Sequence, residues 1–109
     1  APYGEAAMEA LAKAGLFEQV KKRLVYGQNV GQAFQYGHQG AADLALVSLS
    51  FALSMEGRKG KTWHLPEAPP VVQKACLLKN STNKDSAKDL IAYLQTEQAR
   101  NILSEFGYE

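Results

Sequence analysis

Short apolar runs alternate with helix-forming segments along this chain, and this alternation limits its fold more than any other feature. Residues 24–26, 44–47 and 71–78 have the length and composition of buried strands. Helical segments separate these runs, so their order favours an α/β fold with some parallel strand pairing. Cys76 lies in the longest predicted strand and is interpreted as a small core residue.

Glycines and capping residues predict the helices of the first half. A helix is expected from Glu5, and Gly15 is its predicted stop because glycine readily adopts a positive φ. Asn29 is a favourable N-cap for a helix over residues 30–38, since its side-chain oxygen can accept a first-turn N–H. Gly40 is expected to end that helix.

The last thirty residues are predicted to form two helices. The first is expected over residues 86–94, and Thr96 is the predicted N-cap of the second, which Gly107 closes. Their apolar residues recur at helical spacing and would form one face. The residues of that face are Ala87, Leu90, Ile91, Leu94 and Ile102.

Composition excludes several classes of protein. The 109 residues, 46% hydrophobic and 21% charged, suit one globular domain or lobe. Twelve Lys+Arg against eleven Asp+Glu give a net charge of +1, without the basic excess of a typical nucleic-acid binder. No nucleic-acid partner is therefore expected. In addition, no apolar run has the length of a transmembrane helix.

The sequence also lacks catalytic and metal-binding motifs. It contains no Gly-x-Ser-x-Gly, no phosphate-binding Walker loop and no His-Glu-x-x-His. His38 and His64 are far apart, and neither has a partner at ligand spacing. The chain is therefore predicted to have no enzymatic activity, no catalytic residues, no cofactor and no metal site of its own.

Two glycine-containing segments have the chemistry of an anion site. Residues 1–4 (Ala-Pro-Tyr-Gly) and 27–31 (Gly-Gln-Asn-Val-Gly) each lead into a predicted helix. First-turn N–H groups lack helical partners and carry partial positive charge, so two converging helix starts would hold a small oxyanion. The stretch 27–40 contains no Asp, Glu, Lys or Arg, which fits binding of a dianion by neutral dipoles. The alternative is that both segments are ordinary capped helix starts.

In these segments the chain resembles the C-terminal half of the periplasmic molybdate-binding proteins, the solute receptors of molybdate import systems. The resemblance extends over nearly the whole chain, in order and with similar spacing. The segments that carry it are 1–4, 24–30 (Leu-Val-Tyr-Gly-Gln-Asn-Val), 39–48 (Gln-Gly-Ala-Ala-Asp-Leu-Ala-Leu-Val-Ser), and a tail that includes 97–103 and 106–108.

The resemblance implies the second lobe of a type II periplasmic-binding-protein fold plus C-terminal helices, a three-layer α/β architecture with a mixed sheet. Residues 1–79 would form the ligand-binding lobe, incomplete at its N-terminus. Residues 80–109 would be C-terminal helices that normally pack on a first lobe, which is absent here. Their apolar face would then be exposed in a monomer, and homodimer formation or strand exchange would cover it.

The resemblance also implies a function and a site. The protein would be the periplasmic receptor of a molybdate or tungstate import system, which passes the tetrahedral oxyanion to the membrane permease of an ABC importer. Tyr3 and Val30 would donate main-chain N–H groups to the anion, with Asn29 and Ser48 as secondary candidates. Ser48 stands where some relatives have a Tyr hydroxyl. The only metal would be that of the oxyanion itself.

Two other functions remain open on sequence alone. One is a regulatory domain of the same fold that binds a different small ligand. An amino-acid or cation binder would be expected to place a charged side chain within residues 27–40. The other is an interaction domain whose helix starts are only capped and bind nothing.

Overall fold

A computed structural model describes residues 2–109, and helices are the only regular elements over that range. The α-helices are α1 (Pro2–Lys13), α2 (Phe17–Val20), α3 (Val30–His38), α4 (Leu49–Leu53), α5 (Lys84–Leu94) and α6 (Glu97–Glu105). Single 3₁₀ turns are present at Lys21–Arg23 and Gly57–Lys59. The chain divides into two compact units, of which the first ends at Val71 and the second is Val72–Glu109.

The first unit begins with α1, which buries a face of small residues. Ala6 and Ala10, four residues apart, are its buried positions. Gly15 follows with a φ of +69°, and Leu16 N donates to Leu11 O at 2.9 Å, so the chain reverses where the glycine was predicted to stop the helix.

The second unit consists of α5 and α6 with the irregular segment that precedes them. Thr96 caps α6, as predicted, and its Oγ1 accepts a hydrogen bond from Ala99 N at 3.2 Å. Ala99 is buried, and Gly107, with a φ of +78°, closes the helix. Leu90, Leu94 and Ile102 are exposed, as predicted for the apolar face, whereas Ala87 and Ile91 are half-buried.

The predicted α/β fold, with three layers and a mixed sheet, is wrong. The three apolar runs expected as strands form no backbone ladder, and no strand occurs among residues 2–109. A strand needs a neighbour about 4.8 Å away to pair its backbone groups. An apolar pattern indicates a tendency to be buried, but it does not locate the strand that would pair with it. Leu44 and Val72, in two of these runs, are 79% and 73% exposed.

Large apolar side chains contribute little to the interior of either unit. Within residues 2–109, the buried apolar side chains are those of three alanines, Ala6, Ala10 and Ala99. Cys76, expected in the core, is exposed, because the run that contains it is not covered by a second layer. Among the described residues, no helix has the length and apolar character needed to cross a membrane.

Candidate functional site

The first turn of α3 presents two backbone N–H groups that have no acceptor among the described residues. Asn29 is the N-cap, with extended backbone, and its Oδ1 accepts a hydrogen bond from Gln32 N at 2.9 Å. Ala33 N donates to Asn29 O at 3.2 Å. The N–H groups of Val30 and Gly31 remain without such a partner within residues 2–109. They lie at the positive end of the helix dipole, so they can donate to an anion.

The segment that leads into α3 lies tightly against this first turn. Gln28 N donates to Gln32 Oε1 at 2.6 Å, so the Gln32 side chain holds the chain just before the cap. An ideal Cβ on Gly27 would lie 2.7 Å from Ala33 N and 2.9 Å from Asn29 O. Real Cβ atoms essentially never come so close to backbone, so glycine is required at position 27 by this close approach.

Ser48 is buried and caps α4. Its Oγ accepts a hydrogen bond from Phe51 N at 3.4 Å and lies 2.9 Å from Ser50 Oγ. Ser48 O also accepts from Phe51 N, at 3.1 Å. At the other end of α4, Ser54 Oγ donates to Phe51 O at 2.7 Å. Hydrogen bonds therefore fix both the N–H and the carbonyl group of Phe51.

Aromatic stacking and a polar contact join α3 to α4 and the turn that follows. Phe51 stacks on Phe34, with ring centroids 5.0 Å apart and planes 23° apart. Phe34 in turn stacks on His38, one helical turn along α3, at 5.5 Å. His38 Nε2 lies 3.3 Å from Glu56 Oε2. The position of α3 therefore depends on α4 and on Glu56.

Glu56 has a carboxylate whose charge is stabilised by its neighbours. Lys59 Nζ donates to both carboxylate oxygens, at 2.7 and 2.9 Å, and this hydrogen bonding lowers the pKa of Glu56 despite opposing desolvation. The positive charges of Lys59 and protonated His38 lower the pKa further. The side chain is 43% exposed, so solvent screens these interactions.

The pKa of Glu56 predicts acid sensitivity in this part of the first unit. When the pKa of a carboxyl group is lower in the folded chain than in the unfolded chain, its ionised form stabilises the fold at any pH above the unfolded-state pKa. This stabilisation is lost as the pH falls through the folded-state pKa. Glu56→Gln is therefore expected to flatten the decline of the urea midpoint as the pH falls below about 5. Glu67→Gln, at an exposed loop carboxylate, is the control. If the urea midpoints of wild type and Glu56→Gln depend on pH in the same way, the prediction is contradicted.

Tyr3 lies inside the first turn of α1, because that helix begins at Pro2 and not at the predicted Glu5. Its side chain is half-buried. Tyr26 Oη donates to Met8 Sδ at 3.6 Å, so α1 contacts the segment that precedes α3. The structure thus groups three of the four predicted site residues on the linked helices α3 and α4, and places the fourth on α1. Those three are Asn29, Val30 and Ser48.

Sequence reasoning missed two residues of this arrangement. Gln32 lies three positions after the cap Asn29, a spacing typical of a capping box, so the sequence did contain its signal. Phe51 had no such signal, since its contact with Phe34 joins residues seventeen positions apart. Among the described residues, no group of three His, Cys, Asp or Glu side chains could hold a metal ion.

A family model describing bacterial extracellular solute-binding proteins matches residues 1–109. The chain belongs to this family. Membership of a solute-binding family confirms the prediction that the chain is not an enzyme. The description of the family also places its members outside the cytoplasm.

Curated relatives of this chain include proteins named for molybdate binding. It is 34% identical over 110 residues to the molybdate-binding protein ModA of Rhodobacter capsulatus, covering 99% of this chain and 43% of that protein. It is 36% identical over 112 residues to the ModA protein of Azotobacter vinelandii, covering 99% of this chain and 44% of that protein. A putative ABC transporter substrate-binding lipoprotein of Bacillus subtilis, YvgL, is 29% identical, and the match covers 98% of this chain and 42% of that protein.

The chain therefore spans less than half the length of these curated relatives. No solved structure matches it. Together, the family and its relatives confirm the resemblance to molybdate-binding receptors found in the sequence.

Proposed function

We propose that this chain supplies part of the oxyanion site of a molybdate or tungstate receptor. The first turn of α3 is the observation that carries the proposal. There Val30 and Gly31 present N–H groups without a protein acceptor among the described residues. The stretch from Gly27 to Gly40 adds no Asp or Glu that would repel a dianion. Relatives named for molybdate binding supply the identity of the ligand.

In this proposal Val30 N–H and the main chain of Tyr3 donate to the oxyanion. Asn29 and Ser48 are secondary candidates, since the side-chain oxygen of each already accepts a hydrogen bond within its own helix. Binding involves no covalent chemistry. A tetrahedral dianion replaces water at donors already aligned by the helix, and a donor that a badly fitting anion leaves unpaired costs about 1–3 kcal/mol.

The proposed role is to capture the oxyanion in the periplasm and deliver it to the permease of an ABC importer. The names of the relatives, which include an ABC transporter substrate-binding lipoprotein, support this role. The predicted homodimer or strand exchange through the apolar face of α5 and α6 stays a prediction.

Isothermal titration with molybdate, tungstate and sulfate tests the proposal. Heat is expected for molybdate and tungstate, with weaker binding of sulfate because that anion is smaller and leaves donors unpaired. Equal heats for molybdate and sulfate, or none for any anion, would contradict it. A heat only with an amino acid or another small organic ligand would instead favour the alternative of a regulatory domain.

A further inference from the structure

We propose that Phe51 is a positioning residue that determines how well the α3 site discriminates between tetrahedral oxyanions. This inference rests on the proposed function, because it concerns the same site. Phe51 touches the helix that carries the donors and contributes no polar group of its own. Its role is to hold the first turn of α3 at a fixed place.

The first step is the contact between Phe51 and the first turn. An ideal Cβ on Gly31 would lie 3.5 Å from Phe51 Cζ, an ordinary van der Waals distance. The tip of the ring therefore lies beside Gly31, in the same turn as the Val30 N–H proposed as a donor. Since Gly31 has no side chain, no Cβ stands between the ring and this turn of the helix.

The second step is that the ring cannot easily move. Phe34 stacks on one side of it, and His38 stacks on Phe34. The Phe51 backbone is held at its N–H by Ser48 and at its carbonyl by Ser54. The capping role of Ser48 is thus also indirect support for α3.

The third step connects rigidity with selectivity. Donors held at fixed positions match one anion radius, and a smaller anion leaves at least one donor without a partner. If the support under the first turn is lost, the turn can move inward and adapt to sulfate. Removal of the Phe51 ring should therefore lower molybdate affinity more than sulfate affinity.

The experiment compares Phe51→Leu with wild type by titration of molybdate and of sulfate. A stacked aromatic pair contributes about 0.5–1.5 kcal/mol, so molybdate affinity is expected to fall by roughly 2- to 12-fold. Sulfate affinity should fall less, so the ratio of the two affinities contracts. Leu53→Ala, at a half-buried position in the same helix, is the matched control and should leave the ratio unchanged.

A second readout does not depend on any anion. Hydrogen exchange at the Gln32 and Ala33 amides, which both donate to Asn29, should be faster in Phe51→Leu than in Leu53→Ala. If Phe51→Leu does not fold, Phe51→Met removes the ring with a more adaptable side chain. An unchanged affinity ratio together with unchanged exchange would overturn the role of Phe51, whereas a wild type that binds no oxyanion would overturn the proposed function itself.

Discussion

Val30→Pro is expected to remove most of the molybdate affinity while the helix stays folded. The substitution deletes the Val30 N–H, one of the two first-turn donors without an acceptor among the described residues. A hydrogen bond to a charged group contributes about 1.5–3 kcal/mol, so the affinity should fall roughly 10- to 150-fold. Titration calorimetry measures this change directly.

The backbone around position 30 is suited to this test. Proline is favoured at the first position of a helix, where its fixed φ matches and its missing N–H breaks no helical bond. The residue before a proline must be extended, and Asn29 already has φ −153° and ψ 170°. The Asn29 cap, which accepts from Gln32 N, is not affected.

Val30→Ala is the matched control, because it shortens the side chain and keeps the N–H. It should bind molybdate nearly as well as wild type does. Far-UV circular dichroism should show equal helix content in both variants. If the folded proline variant binds with wild-type affinity, the Val30 N–H is not a donor to the anion.

The helices could be predicted because their signals are local. The predicted span 30–38 agrees with α3, and the caps Asn29 and Thr96 accept the first-turn hydrogen bonds expected of them. The three glycines predicted as stops all have positive φ, a conformation that side chains with a Cβ rarely adopt. These glycines are Gly15, Gly40 and Gly107. Each signal lies within a few residues of the boundary that it sets.

The sheet could not be predicted correctly because pairing is not local. Residues 71–78 have a strand-like composition, yet a strand forms only if a second backbone lies alongside. The same limit applies to the candidate site. The sequence indicated the Asn29 cap, but it could not indicate that Phe51 lies beside Gly31 in space.

Gly57→Ala is expected to destabilise the first unit strongly. Gly57 is buried, and an ideal Cβ there would lie 2.1 Å from Phe51 O and 2.6 Å from Ala52 O. Both atoms belong to the backbone of α4, so no side-chain rotation relieves the clash. Overpacking typically lowers the free energy of unfolding by about 1–3 kcal/mol. Because the clashing atoms belong to the backbone, a loss of about 3 kcal/mol is expected for Gly57→Ala.

Urea denaturation followed by circular dichroism measures the loss, and Gly60→Ala is the control. At Gly60 the nearest atom to an ideal Cβ is Gly57 O at 3.6 Å, and φ is −97°, so alanine fits. That variant should be as stable as wild type, or up to about 1 kcal/mol more stable, because alanine restricts the unfolded chain. Equal stability of the two variants would mean that α4 is not packed against position 57 in solution.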